Sequence, residues 1–279
     1  SAFTRIIGGI NADLKDVPYQ LALKIEDNNR KITCGAVLIS RTYALTAAHC
    51  LHGNGENAKY VLKAGSSGFY REDPHTQKRT PDKLWTHKGF LSGKFIFDIA
   101  ALHVRNPFEV NDFVRPILLP SQNYSLEGFA VVSGWGCTDR DCEGRMSSVL
   151  KRAAVPIVPQ NICMEAYPYS IYPSMFCAGF VEGGSKDACR GDSGGPLVVE
   201  DGAHRLLIGL VSWGNSCACP GYPGVYTRIT AYLTWIQDVM GGIERSNVQF
   251  GSTGIIPVLC QYVLYSQSFV MLCMFYRNQ

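Results

Sequence analysis

Charge is what this 279-residue chain is short of: Asp, Glu, Lys and Arg make up only 18% of it, and they balance to a net +3. The basic residues are scattered rather than gathered into a stripe, which excludes the electrostatic footprint of a nucleic-acid binder. Internal repeats and low-complexity tracts are missing as well, which excludes repeat architectures. No apolar leader stands at the N-terminus, because Ser1–Arg5 is too short to be one, so any signal peptide is expected to have been removed. What the chain does hold is apolar material, 46% of residues, enough for a sizeable core. It also holds 11 cysteines, many for a reducing compartment and ordinary for an oxidising one. An extracellular, secreted protein is therefore expected. The length suits one catalytic unit plus a tail.

Most of the first 230 residues reads as short apolar runs broken by Gly, Pro, Asn and Asp. Tyr19–Ile25, Gly35–Ile39, Val131–Val132, Leu197–Val199 and Leu206–Val211 are the clearest. Many short strands at such spacing predict an antiparallel barrel or sandwich. A helix is predicted over Ala231–Met240, where Tyr232, Trp235, Ile236 and Val239 recur at helical spacing and Gly241–Gly242 supplies a stop.

Three segments carry chemistry together: Thr46-Ala-Ala-His-Cys50, Phe97-Asp-Ile-Ala-Ala-Leu102 and Gly191-Asp-Ser-Gly-Gly-Pro196. Each alone has a plain structural reading, as a buried His, a strand-end cap and a turn. A serine hydroxyl is a poor nucleophile at neutral pH, so Ser193 needs an adjacent base, and His49 suits that role. Asp98 would hold the His tautomer. The Gly-rich turn before Ser193 lets main-chain amides approach a developing oxyanion.

From Ile6 to Met240, in the order and context of these motifs, the chain resembles the trypsin-like (chymotrypsin-fold) serine peptidases. The resemblance implies an all-β fold of two six-stranded antiparallel β-barrels with the active site between them and a C-terminal helix. His49 and Asp98 would sit on the first barrel and Ser193 on the second. It implies an oxyanion hole of the Gly191 and Ser193 N–H groups. Ser212, Trp213 and Gly214 would pair with an extended substrate, and Ser212 would touch Asp98. Asp187 would form the acidic base of a pocket for Arg or Lys, with Gly214 and Gly224 as walls. Ala188 replaces a hydroxyl that many relatives offer to Lys, so Arg is expected to be preferred. Ser216 departs from the family's usual Gly, and Cys217-Ala-Cys219 adds an unusual thiol, which leaves the pocket rim less defined.

Thr4-Arg-Ile-Ile-Gly-Gly9 resembles an activation site. Cleavage after Arg5, by a trypsin-like protease, would free an ammonium on Ile6 to meet the Asp192 carboxylate, and the uncut chain would be a poorly active zymogen. The domains so implied are an activation remnant (1–5), a peptidase domain (6–240) and an extension of unknown role (241–279). By resemblance Cys34 pairs with Cys50, Cys163 with Cys177 and Cys189 with Cys217. Cys137 with Cys142 is preferred as a local clip, with either of them to Cys219 as the competitor. No cofactor is implied, and Gly65–Arg71 lacks a carboxylate set for calcium, although Glu72 and Asp73 follow. Partners would be protein or peptide substrates, the activating protease and protein inhibitors, with no nucleic acid.

Gly251–Tyr276 is uncharged and long enough on paper to cross a bilayer, but Pro257, Gln261 and Ser266–Ser268 interrupt it. A disordered or adventitious extension is expected ahead of a membrane anchor. The competing function is a catalytically silent homologue that binds or regulates, a fate that shows as loss of His, Asp or Ser; all three are retained.

Overall fold

The computed structural model describes residues 9–28, 30–137, 146–182, 188–201, 204–244, 259–265 and 268–274. Fourteen strands build the body. The short β1 (Ile10–Asn11) belongs to the second half of the fold. The first half contains β2 (Gln20–Asp27), β3 (Arg30–Leu38), β4 (Tyr43–Thr46), β5 (Lys59–Ala64), β6 (Gln77–Arg79), β7 (Lys83–Thr86) and β8 (Ala100–His103), with the short helix α1 (Ala48–Leu51) after β4. The second half contains β9 (Phe129–Gly134), β10 (Lys151–Val158), β11 (Met175–Ala178), β12 (Pro196–Asp201), β13 (His204–Trp213) and β14 (Gly224–Arg228), with α2 (Gln160–Ala166) after β10.

All ladders are antiparallel. The first half orders as β6-β5-β2-β3-β4-β8-β7, a half-barrel, and no ladder joins its outer strands among the described residues. Both outer strands are short, three and four residues, and mostly solvated, so they have little to gain from closure. The second half closes: β9 pairs with β12 on one side and β10 on the other, which turns six strands into a complete barrel, and β1 adds to the outside of β10. The all-β class with two antiparallel halves and a C-terminal helix is as the sequence implied.

Strand periodicity explains why these runs carry so few polar residues. On β2, Leu21, Leu23 and Ile25 face the first half's own core, and Ala22 between them faces the seam between the halves. On β3, Ala36 and Leu38 face inward while Val37 faces the seam; on β13, Leu206 and Ile208 face the second core while Leu207 and Leu210 face the seam. Successive side chains point to opposite faces, and here both faces are dry. Each fully buried Leu or Ile contributes about 1.5–3 kcal/mol.

The seam is capped by the C-terminal helix α3 (Leu233–Glu244), which follows a 3₁₀ turn over Ile229–Tyr232 and sends Leu233, Ile236 and Met240 into the same cluster. Gly241, at φ 69°, breaks the helical path where the Gly-Gly stop was expected. The start falls two residues later than the periodicity placed it, because the 3₁₀ turn takes up Ala231 and Tyr232. Beyond α3 the sequence reading placed no element. The chain forms a two-stranded hairpin there, β15 (Leu259–Tyr265) with β16 (Ser268–Met274), in a register that sets Cys260 opposite Cys273. Among the described residues no helix is long and apolar enough to cross a membrane.

Candidate active site

Register brings the first two residues together. β4 pairs with β8 so that Thr46 faces Ala100, which sets the segment just past the end of β4 beside the segment just before β8. His49 lies on α1 three residues past Thr46, and Asp98 lies two residues before Ala100. The buried Asp98 carboxylate accepts the His49 main-chain N–H on Oδ1 at 2.9 Å and meets His49 Nδ1 with Oδ2 at 2.8 Å. A carboxylate oxygen accepts, so Nδ1 carries the ring proton and the Nε2 lone pair is left to act as a base.

The second half holds this pair in place. Ser212 on β13 donates its hydroxyl to Asp98 Oδ2 at 2.5 Å, and Thr227 on β14 donates to the Asp98 carbonyl at 2.7 Å. The grip is reciprocal: the Ser193 carbonyl, in the second half, accepts the Gly35 N–H from β3 at 2.8 Å. Behind His49, the disulfide Cys34–Cys50 ties α1 back to β3.

Ser193 sits in the turn that leads into β12. The N–H groups of Asp192, Gly194 and Gly195 are spent on the carbonyls of Cys189, Val211 and Asp192. Those of Gly191 and Ser193 have no partner among the described residues. Gly191 adopts φ 98°, a left-handed conformation that a side chain would strain. Two unspent donors beside a hydroxyl are what a developing oxyanion requires.

Between them the two donors flank Asp192, which is fully buried and turned away from the cleft. Its Oδ1 accepts the Gly136 N–H at 2.7 Å and its Oδ2 the Cys189 N–H at 3.0 Å. A Cβ on Gly136 would lie 2.3 Å from Asp192 Oδ2, so only glycine fits there. Burial pushes the Asp192 carboxyl up to about 6 against the pull of those two N–H groups. It makes no ion pair among the described residues.

His49 and Ser193 line one cavity of about 590 Å³, shared with Ala188, Ser212, Trp213 and Gly214 and walled also by Gly224. The disulfide Cys189–Cys217 joins two of its sides. A Cβ built on Gly214 would lie 4.0 Å from the Gly224 Cα, so these two glycines face each other across the slot. The third expected bridge, Cys163–Cys177, is formed. Cys137 is disulfide-bonded and Cys219 is a free thiol, so the alternative of Cys137 to Cys219 is excluded; Cys142 lies outside the described residues. Asp187, Arg5 and Ile6 also lie outside them.

Sequence reasoning missed three residues at this site. Phe95 meets the His49 ring edge-on at 5.4 Å and stacks near Trp213 at 6.4 Å, from a left-handed backbone with φ 52°. Tyr167 packs against Trp213 at 4.9 Å and donates to the Pro223 carbonyl. Thr227 holds the Asp98 main chain. The only available signal was proximity to Asp98 for Phe95; Tyr167 and Thr227 carry none. An exposed Arg190 stands at the cavity mouth.

Comparison with known proteins agrees with this geometry. The trypsin family profile matches residues 6–236. A trypsin-1 from Astacus astacus is 38% identical over 236 residues, which cover 83% of this chain and 98% of the relative. Coagulation factor IX from Cavia porcellus is 34% identical over 239 residues, which cover 84% of this chain and 81% of that protein. The chain therefore belongs to the trypsin family and is a serine-type endopeptidase.

Proposed function

We propose that the chain hydrolyses peptide bonds after Arg, and less readily after Lys, once Arg5–Ile6 has been cut. The observation that carries the catalytic part is the Asp98-oriented His49, whose free Nε2 shares a cavity with a hydroxyl flanked by two unspent N–H groups. Ser193 Oγ attacks the substrate carbonyl carbon as His49 Nε2 takes its proton. The carbonyl oxygen, now charged, is met by the N–H groups of Gly191 and Ser193. The C–N bond breaks as His49 returns the proton to the leaving amine, and water then cleaves the acyl-enzyme by the same steps. Asp98 stays a carboxylate throughout and stabilises the imidazolium.

The cationic preference rests on the resemblance, which makes Asp187 the acidic base of the pocket, and is supported by the facing glycines 214 and 224, which leave room for a long side chain. Ala188, with no hydroxyl to offer an ammonium, favours the Arg fork. Zymogen activation is supported by the state of Asp192: a buried carboxylate without a counter-charge is costly, and an Ile6 ammonium would supply one. The domain reading follows: 1–5 activation remnant, 6–240 peptidase, 241–279 extension. The three disulfides whose partners are both described, together with the disulfide-bonded Cys137, fit an oxidising compartment and hence secretion. An activating protease and protein inhibitors are the partners this reading calls for.

The test is to treat the purified chain with trace trypsin, verify a new Ile6 terminus, and compare matched peptides bearing Arg, Lys or Phe before the scissile bond, with Ser193→Ala as control. Arg-selective cleavage is expected only after processing and only with Ser193 present. A correctly processed chain that cleaves none of them would refute the catalytic reading.

A further inference from the structure

Lys63, the penultimate residue of β5, is 2% exposed. A lysine there would ordinarily stretch its ammonium to water. Instead the chain that leaves β5 folds back over it. Lys63 Nζ donates to the carbonyls of Gly68 at 2.7 Å, Phe69 at 3.0 Å and Arg71. The Ser66 hydroxyl lies 3.0 and 2.9 Å from the Gly68 and Arg71 carbonyls and adds a donor to the same set. A buried charge must be paired or coordinated. The nearby carboxylates are engaged elsewhere: Asp73 accepts the N–H and hydroxyl of Ser67, and Glu72 pairs with Lys78. The ammonium is therefore held by converging main-chain carbonyls, as a bound metal cation is, and loop 66–71 is wrapped around it.

That loop reaches into the second half. The Ser67 carbonyl accepts the Trp135 indole N–H at 2.9 Å and the Leu150 N–H at 2.6 Å, and Gly68 bridges to Val149. The Phe69 ring meets Trp135 edge-on at 5.9 Å. Trp135 immediately precedes Gly136, the residue whose N–H and missing side chain seat Asp192. Asp192 in turn separates Gly191 from Ser193.

We propose that Lys63 is a positioning residue for the peptidase reaction, a tethered cation that fixes loop 66–71 and, through Ser67 and Trp135, the seat of Asp192 beneath the oxyanion donors. The inference rests on the catalytic reading above and extends it to a residue remote from the cleft.

The experiment compares processed wild type, Lys63→Met and Trp135→Phe. Active sites are counted with an acylating titrant, kcat and KM are measured on an arginyl amide with and without EDTA, and amide exchange is followed over residues 130–137. In Lys63→Met, kcat per titrated site is expected to fall on the order of ten- to a hundredfold, with a smaller change in KM and faster exchange. Trp135→Phe keeps an aromatic ring but loses the N–H to Ser67, and is expected to move both readouts in the same direction by less. EDTA is expected to leave the wild-type rate unchanged.

If Lys63→Met fails to fold, Trp135→Phe decides. The proposal is overturned if Trp135→Phe keeps wild-type kcat and exchange, or if Lys63→Met loses thermal stability alone. It is also overturned if EDTA lowers the wild-type rate, because a divalent cation would then be organising the loop. A failure of the catalytic reading is separately visible, since the titrant would label no Ser193 in the wild type; exchange over 130–137 would then decide alone.

Discussion

The two halves of the molecule furnish the cleft in different currencies of structure. The first half contributes an imidazole and a carboxylate joined ring to oxygen, with the His49 main-chain N–H donating to the second carboxylate oxygen, in a register set by β4 and β8. The second contributes hydroxyls and main chain: those of Ser212 and Thr227 on Asp98, that of Ser193 in the cavity, and two unspent N–H groups on a turn seated on a buried carboxylate. The hydrogen bonds that hold Asp98 and His49 are all in place. The turn that carries the two N–H groups is seated through Asp192, whose charge finds no cation among the described residues. Regulation is thus expected to act on the second half and leave the first untouched.

The largest effect should come from breaking the first half's contribution. Asp98→Asn removes one acceptor while keeping shape, and kcat is expected to fall by roughly 10⁴-fold, the loss recorded for that replacement in other Ser-His-Asp triads. Steady-state kinetics of the processed enzyme would check it; a loss below tenfold would mean that His49 is oriented by something else.

The second prediction concerns Asp192 and is read on stability, with the inactive Ser193→Ala background, intact against processed. In the intact chain the carboxyl titrates at about 6, above the ordinary 3.8. Its contribution therefore favours the fold below about pH 4 and is lost as pH rises through about 6. The swing is about 3 kcal/mol. On the proposed activation, in which cleavage brings an Ile6 ammonium to Asp192, the processed form should gain on the intact one by about that much between pH 4 and 7. Denaturant unfolding at several pH values measures it, and parallel curves would show that Ile6 does not reach Asp192.

Next in size, Gly224→Val would fill the slot that faces Gly214. Hydrolysis after Arg is expected to drop about a hundredfold through overpacking, while His49, Asp98 and Ser193 stay reactive toward a small acylating titrant. Unchanged Arg kinetics would put the specificity pocket elsewhere. Smallest of all, Cys219→Ser should leave kcat within about twofold, as expected for replacing a partly exposed group with no structural role; a larger loss would assign the free thiol a function.

How legible this was in the sequence depends on what fixes each part. The segments around His49, Asp98 and Ser193 stand out because nucleophilic catalysis demands those residue types and each sits in a short, distinctive context; the structure sets His49 against Asp98 and puts His49 and Ser193 on one cavity. The three disulfides followed from the resemblance. Closure of only the second barrel could not be read, because it turns on whether edge strands as short as Gln77–Arg79 and Lys83–Thr86 meet. Lys63 reads as a solvated strand residue; what buries it is a loop that returns from five to eight positions further on. Phe95 and Tyr167 are likewise placed by loops, and loop paths leave no periodicity in the sequence. The 3₁₀ turn ahead of α3 satisfies the same apolar spacing as a helix, so periodicity places the boundary two residues early.

The crossed grip between the halves has a consequence for fragments. A piece ending before β9 would carry His49 and Asp98 but lack the hydroxyls of Ser212 and Thr227 that pin the carboxylate. The complementary piece would carry Ser193 without the Gly35 N–H that braces its carbonyl. Neither piece holds both partners of these hydrogen bonds. The bracing belongs to the joint, so a wedge that spreads it is expected to release Asp98 and the Ser193 carbonyl at once.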